Sequence, residues 1–160
     1  ELTWGINRDT QNVFYLHGAL PFFDTGISVT KEEYDLYNYL LEKISARMDE
    51  GEYPIFVTAG NGQQKLSHIK HNEYLTYCYE SLCNAQGSLV TFGFNFGDYD
   101  EHIIEAINRA AKFGKKVPDK LWSLYIGVYS ESDKHHIEKI RTKFKCKVHI
   151  YDTKTAHVWI

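Results

Sequence analysis

The sequence has no long apolar run and no secretory signal pattern, and each absence argues against a class of protein. Its longest apolar runs, such as 121–126, are interrupted within a few residues. A membrane span needs ~20 consecutive apolar residues. The first residues also show no basic segment followed by an apolar one, so they give no support to secretion. We therefore expect no membrane partner.

The chain also has no excess of positive charge. It carries 18 Lys and Arg residues against 21 Asp and Glu residues, for a formal net charge of −3. Phosphate contacts dominate the affinity of nucleic-acid binders, which therefore carry a basic surplus. The one basic cluster, at 112–120, is interpreted as a solvated helix end. We expect no nucleic-acid partner.

Cysteines are few and lack the spacing of a metal or disulfide framework. Cys78, Cys83 and Cys146 make an odd count without a Cys-x-x-Cys pair. This pattern favours buried thiols and a reducing, cytoplasmic location. His68 and His71 have the helical spacing of two metal ligands, but no third ligand accompanies them. We therefore expect no metal site.

The amount of apolar sequence predicts one folded domain over residues 1–160. Hydrophobic residues make up 43% of the 160 residues and charged residues 24%, which is typical of a soluble globular domain. The only methionine is Met48, so we expect the chain to be a piece of a longer protein.

Apolar patterning predicts strands that alternate with helices. Thr30 and Glu33 have the spacing of a capping box, which predicts a helix from residue 31. Such alternation with nearly continuous apolar strands is typical of an α/β fold, here a Rossmann-like, mostly parallel sheet of about five strands with helices on both faces. The predicted strands are 13–16, 54–58, 88–92, 121–128 and 147–151, and the helices between them carry apolar residues within 36–48, 69–83, 103–111 and 137–144.

In such a sheet the loops after the strands meet at one edge, where ligands bind. The loops 17–18, 58–62, 93–98 and 127–130 all contain glycine, which permits close backbone approach to a ligand. The helix that follows each loop would point its N-terminus at the same crevice, which favours phosphate or carboxylate. We therefore expect a nucleotide-shaped ligand.

Four polar residues in these loops are candidates for chemistry. His17 can accept a proton from a ribose hydroxyl, or it can simply hydrogen-bond to the backbone at a strand end. Asn95 can bond to a ribose, or it can serve a local turn. Asp98 and Asp100 can act as a carboxylate pair, although helix capping explains at least one of them.

Two segments together resemble the sirtuin-like superfamily, in particular its bacterial branch of NAD-binding and NAD-cleaving domains. The segment 15–18 reads Tyr-Leu-His-Gly, and 89–103 reads LVTFGFNFGDYDEHI. In that superfamily one strand ends in Leu-His-Gly, and a later strand ends in Gly-x-Ser before acidic residues and an isoleucine-rich helix. The resemblance extends over roughly 13–160.

This resemblance implies that His17 is the catalytic histidine, acting as general base on the nicotinamide ribose. Gly93 and Asn95 would line the adenosine ribose, and 127–130 would form the adenine-side loop. The full set of implied cofactor contacts is Gly18, Gly93, Asn95, Asp98, Asp100, Gly127 and Ser130.

The chain departs from the superfamily in three ways. Asn95 stands in place of the usual serine. The zinc-binding cysteine quartet of the protein deacylases is absent, so lysine deacylation is not expected. The opening phosphate-binding loop is also missing, so the chain resembles the C-terminal portion of such a domain.

Two functions follow from these observations, and the sequence leaves both open. The first is a domain that binds NAD and, as an enzyme, hydrolyses it to nicotinamide and ADP-ribose, with a role in bacterial antiphage defence. The alternative is a non-catalytic nucleotide-sensing or protein-interaction module. Whether the protein is a homo-oligomer is open as well.

Overall fold

A computed structural model describes residues 2–5 and 10–157. Residues 1, 6–9 and 158–160, which the predicted domain includes, lie outside the described residues. The strands are β1 Leu2–Thr3, β2 Gly18–Asp24, β3 Val29–Lys31, β4 Pro54–Phe56, β5 Gly87–Thr91, β6 Leu121–Val128 and β7 Lys147–Asp152. The α-helices are α1 Leu40–Asp49, α2 Gly62–His71, α3 Glu73–Cys83, α4 Glu101–Ala111 and α5 Glu131–Ile140.

The chain divides into two compact units. The first comprises Glu1–Ala59 and Lys65–Cys78, and the second comprises Gly60–Gln64 and Tyr79–Ile160. The boundaries fall inside α2 and α3, so that each of these helices contributes to both units. The single domain that the sequence suggests stays a prediction.

The first unit contains an antiparallel sheet with the strand order β1-β3-β2-β4. A tight turn joins β2 to β3, in which the N–H of Gly26 donates to Oδ1 of Asp24 at 2.8 Å. Phe23 pairs with Thr30 across this hairpin and is fully buried. The guanidinium carbon of Arg47, from α1, lies 4.1 Å from the centre of the Phe23 ring. The hairpin and α1 therefore share an apolar core.

Two predictions are wrong in this unit. Residues 13–16 form no strand, and β2 instead begins at Gly18, where a strand was expected to end. Thr30 caps no helix but is buried within β3, and α1 begins only at Leu40. The reason is tertiary, because pairing with β2 outweighs the local capping signal of Thr30 and Glu33.

The second unit contains a parallel sheet with the strand order β5-β6-β7. Leu89 pairs with Leu124, and Leu124 pairs with Val148. The helices α4 and α5 connect the three strands and both contact β6. The strands β5, β6 and β7 confirm the predicted ones to within a residue at most ends.

This parallel sheet has three strands, so the prediction of about five parallel strands is wrong. Strands β2 and β4 belong to the separate antiparallel sheet, where β4 pairs with β2. Leu124 on β6 is fully buried, whereas its neighbour Tyr125 is 37% exposed and Val90 on β5 is 62% exposed. The prediction of helices on both faces of the sheet stays a prediction.

The helices of the second unit follow their sequence signals closely. The predicted apolar side of α4 is buried, including Ile103, Ile107 and Ala110. Tyr79 in α3 donates a hydrogen bond from Oη to the carbonyl of His102 in α4, at 3.1 Å. Where the structure describes the chain, no helix combines the length and apolar character that membrane crossing requires.

Candidate functional site

A cleft of about 580 Å³ lies in the second unit, where β5 and β6 end. Four residues predicted from the sequence line it, namely Gly93, Asn95, Asp100 and Gly127. Further lining residues are Phe92, Phe94, Val128, Tyr129, Asp133, Ile137 and Thr153. Loops that follow parallel strands meet at one edge of the sheet, and this strand-end rule therefore brings together half of the eight predicted site residues.

The loop after β5 is anchored by one buried aromatic residue. Phe96 has a φ of 52°, an unusual value for a residue with a side chain, and is almost fully buried. Its ring lies edge-on to the rings of Phe94 and Phe144, with centroids 4.7 and 5.2 Å away. Nε2 of His136, in α5, donates to the carbonyl of Phe96 at 3.2 Å. This anchor leaves the exposed Asn95 at the wall of the cleft.

Gly127 leaves room for hydrogen bonds that join the ends of the three parallel strands. A Cβ atom at this position would lie 2.6 Å from Cγ2 of Thr153 and 2.7 Å from Oη of Tyr151. Oη of Tyr151 donates to the carbonyl of Thr91 at 2.9 Å, and Oγ1 of Thr153 donates to the carbonyl of Val128 at 3.1 Å. The glycine therefore has a packing role as well as a place in the wall of the cleft.

The N-terminus of α5 is closed by a capping box. Oδ2 of Asp133 accepts hydrogen bonds from the Ser130 hydroxyl at 2.8 Å and the Ser130 N–H at 3.0 Å. It also lies 3.3 Å from the N–H of Tyr129, while the N–H of Asp133 donates to Oγ of Ser130 at 3.1 Å. The bond from the Ser130 hydroxyl lowers the pKa of Asp133 below its usual value, with smaller contributions from the backbone donors. Ser130 is thus the N-cap residue of α5.

Ser130 lines a second, neighbouring cleft of about 590 Å³ rather than the first. Val128 and Tyr129 line both clefts. Charges of both signs line the second one, namely Glu131, Lys134, Glu138, Arg141, Asp152 and Lys154. Nζ of Lys154 lies 4.7 Å from the centre of the Tyr129 ring.

The first cleft differs in its charge. Among the described residues that line it, Asp100 and Asp133 are the charged ones, and both are acidic. Asp98, the other predicted carboxylate, is exposed and does not line the cleft. Asp100 and Asp133 therefore both line the cleft, and the role of Asp98 with Asp100 as a carboxylate pair stays a prediction.

The loop before α2 also belongs to the second unit. Asn61 and Gln64 form a reciprocal capping box, with both hydrogen bonds at 3.0 Å. Gly62 is buried, and a Cβ atom there would lie 3.1 Å from Cβ of Glu101 at the start of α4. This loop therefore packs beside the N-terminus of α4.

His17 and Gly18 belong to the first unit, and their position corrects the strand-end argument made for them. His17 lies in a turn that leads into the antiparallel strand β2, and Gly18 is the first residue of that strand; neither follows a parallel strand. The N–H of Val57 donates to the carbonyl of His17 at 2.9 Å. A Cβ atom at Gly18 would lie 1.9 Å from the carbonyl oxygen of Ile55, so close strand packing requires this glycine.

The sequence reasoning missed Asp133 and Thr153, which line this cleft, and Tyr151, which packs against Gly127 and lines the second cleft. Tyr151 and Thr153 lie at the end of β7, so applying the strand-end rule to the last predicted strand would have found them. Asp133 could have been found as the acidic residue three positions after the cap Ser130. His71 is one of the two histidines with the spacing of metal ligands, and its Nδ1 donates to the carbonyl of Ser67 at 2.6 Å.

The second unit is thus a parallel βαβαβ arrangement with a cleft at its strand ends. The chain belongs to the DUF4917 family, a domain of unknown function, whose family model matches residues 2–159. No curated protein and no solved structure matches the chain.

Proposed function

We propose that the second unit binds a nucleotide of the NAD type in the strand-end cleft. The observation that carries this proposal is the position of the cleft, at the carboxyl ends of two adjacent parallel strands. Open α/β sheets bind nucleotides at this position. A volume of about 580 Å³ also lies within the ~300–1,000 Å³ range of small-molecule sites.

The lining residues supply suitable partners for a nucleoside. The Asn95 side-chain amide can both donate to and accept from ribose hydroxyls. The Asp100 carboxylate can accept from a hydroxyl. The exposed ring of Tyr129, which also lines the cleft, offers a surface for a base to stack on.

As an enzyme, the protein would hydrolyse NAD. Water would attack C1′ of the nicotinamide ribose, the N-glycosidic bond would break, and nicotinamide and ADP-ribose would leave. His17 would accept the proton from the attacking group, as the sirtuin-like resemblance implies. A role in bacterial antiphage defence would depend on this hydrolysis.

The second candidate is a non-catalytic nucleotide-sensing or interaction module. It is favoured by the position of His17, which lies before an antiparallel strand and not at a parallel strand end. The asparagine at position 95, where the superfamily has serine, favours the same candidate. A sensing module would share the cleft with the hydrolase and differ from it in turnover, whereas an interaction module would bind no nucleotide there.

Calorimetric titration of the chain with NAD and with ADP-ribose tests the shared part of the proposal. We expect both nucleotides to bind, and Asn95→Ala to weaken this binding about tenfold. The control is Asn84→Ala, which changes an exposed asparagine outside the cleft and should leave the affinity unchanged. Absence of binding to both nucleotides would overturn the proposal.

Nicotinamide release by the full-length protein decides between the two candidates. Release that His17→Ala abolishes, while nucleotide affinity is retained, identifies the hydrolase. Binding without release identifies the sensing module.

A further inference from the structure

We infer that the first unit binds a small aromatic acid, in a cleft of its own that the proposed nucleotide site does not use. This aromatic cleft has a volume of about 310 Å³, at the lower end of the ~300–1,000 Å³ range of small-molecule sites, which suits a ligand of one or two rings. Its lining residues include Trp4, Tyr15, Phe22, Tyr74, Gln11 and Lys31, all of which belong to the first unit. The inference goes beyond the proposed function and does not depend on it.

The aromatic cleft lies on one face of the antiparallel sheet. Lys31 on β3 is paired with Leu2 on β1 and with Phe22 on β2, and all three residues line the cleft. Residues directly opposite each other on neighbouring antiparallel strands point to the same face, and the next residue along a strand points to the other. Phe23 therefore points away from the cleft, and Arg47 of α1 packs on its ring there. One face of the sheet thus packs against α1, and the other carries the cleft.

Four aromatic rings form a connected cluster at this cleft. Phe22 stacks on Tyr74 of α3, with ring centroids 4.9 Å apart and planes inclined by 19°. Trp4 meets Tyr74 edge-on at 5.4 Å, and the ring of Tyr15 lies 5.0 Å from that of Phe22. Phe22 and Tyr74 are buried, which fixes these two walls, whereas Tyr15 is 37% exposed. A flat ring can extend such a cluster by stacked or edge-on contact.

Hydrogen bonds within the first unit hold the aromatic residues in place. Nε1 of Trp4 donates to Oε1 of Gln11 at 3.0 Å, and Nε2 of Gln11 donates to the carbonyl of Val13 at 2.8 Å. Oη of Tyr74 accepts from the N–H of Tyr15 at 3.3 Å. Since these polar groups already bond to the protein, a ligand ring would be held mainly by contact with the rings and by burial of its apolar surface.

Lys31 decides the charge of the ligand. It is the one charged residue among the described residues that line the aromatic cleft. Aromatic rings by themselves attract cations to their faces. A lysine ammonium at the same cleft instead repels a cationic ligand and attracts an anionic one. The ligand class that fits both the rings and the charge is a planar aromatic acid.

Calorimetric titration of the chain with three indole derivatives of similar size and different charge tests the inference. The probes are indole-3-acetate, indole-3-acetamide and tryptamine, which are anionic, neutral and cationic at pH 7. We expect indole-3-acetate to bind about tenfold more tightly than tryptamine, with the amide between them.

Two pairs of variants assign this binding to the aromatic cleft. Lys31→Gln should reduce the preference for the acid by about threefold or more, whereas Lys70→Gln, at an exposed lysine outside the cleft, should leave it unchanged. Tyr15→Ala should weaken the binding of all three probes by about fivefold through loss of one wall. Its control is Tyr53→Ala, at an exposed tyrosine outside the cleft, which should leave the affinities unchanged.

Three results would overturn the inference. The first is no binding of any of the three probes at millimolar concentration, and the second is indole-3-acetate that binds no more tightly than tryptamine. The third is a preference for the acid that Lys31→Gln leaves unchanged. If Lys31→Gln fails to fold, the comparison of the three probes with the unaltered chain still decides. NAD binding is measured separately, so failure of this inference leaves the proposed function intact.

Discussion

Tyr151 at the end of β7 donates a hydrogen bond from Oη to the carbonyl of Thr91 at the end of β5, at 2.9 Å. The bond passes over β6 at Gly127, where Tyr151 Oη lies 2.7 Å from the position that a Cβ atom would take. The two outer strands are thus joined directly above the middle one. The absence of a side chain at position 127 permits this arrangement, and Gly127 itself lines the cleft.

Gly127→Ala should therefore destabilise the second unit. The added methyl group must displace Tyr151 or Thr153, and overpacking of this kind costs about 1–3 kcal/mol. Urea denaturation followed by circular dichroism measures the change. The control is Gly97→Ala in the neighbouring loop, where the nearest atoms to a Cβ lie at 3.6 and 3.7 Å. Equal effects of the two substitutions would contradict the close packing at Gly127.

Gly18→Ala should be more damaging than Gly26→Ala. The two glycines have nearly equal φ values, +74° and +77°, so the backbone penalty of about 1 kcal/mol is the same. Only at position 18 does the new Cβ meet a backbone atom, the carbonyl oxygen of Ile55 at 1.9 Å. We expect an additional loss of about 2 kcal/mol or more in the free energy of unfolding. Similar losses for the two variants would show that β2 and β4 are not packed in this way.

Ser130→Ala should weaken α5 in a way that depends on pH. Loss of an N-cap typically costs about 1 kcal/mol. The bond from Ser130 lowers the pKa of Asp133 below its usual 3.8, so its stabilising effect is present above that pH and is lost as the pH falls through the lowered pKa. The difference in urea stability between Ser130→Ala and the unaltered chain should thus be larger at pH 7 than at pH 2.

The control for this measurement is Ser132→Ala, an exposed residue in the same helix. It should show little difference at either pH. A Ser130→Ala effect that is independent of pH would mean that the capping interaction does not involve the ionised carboxylate.

Cys83 should react slowly with thiol reagents in the folded protein. It is buried in α3, and burial raises the pKa of its thiol to about 11. Because the thiolate is the reactive form, alkylation by iodoacetamide at pH 8 should be much slower than in urea, and mass spectrometry of the labelled peptides can follow it. Rapid labelling of Cys83 under native conditions would indicate local opening of this helix.

The elements of the second unit could largely be predicted from the sequence because their signals are local. β6 has the predicted bounds, and α4 buries the apolar residues that the helical spacing picked out. Ser130 caps α5 with a bond to its own third helical residue. Strand ends in a parallel sheet also meet by geometry, so Gly93 and Gly127 could be placed together without coordinates.

Only the tertiary structure decided the rest, because contacts between distant residues outweighed local preferences. Thr30 has the sequence of a helix cap, yet it is buried in a strand because it pairs with Phe23. His17 and Gly18 have the sequence of a strand end, yet Gly18 begins a strand whose pairing with β4 requires the glycine. The acidic character of the cleft likewise depends on Asp133, whose carboxylate turns back onto Ser130 and Tyr129. Periodicity and capping signals describe single segments, whereas pairing and charge in a cleft arise only when segments are brought together.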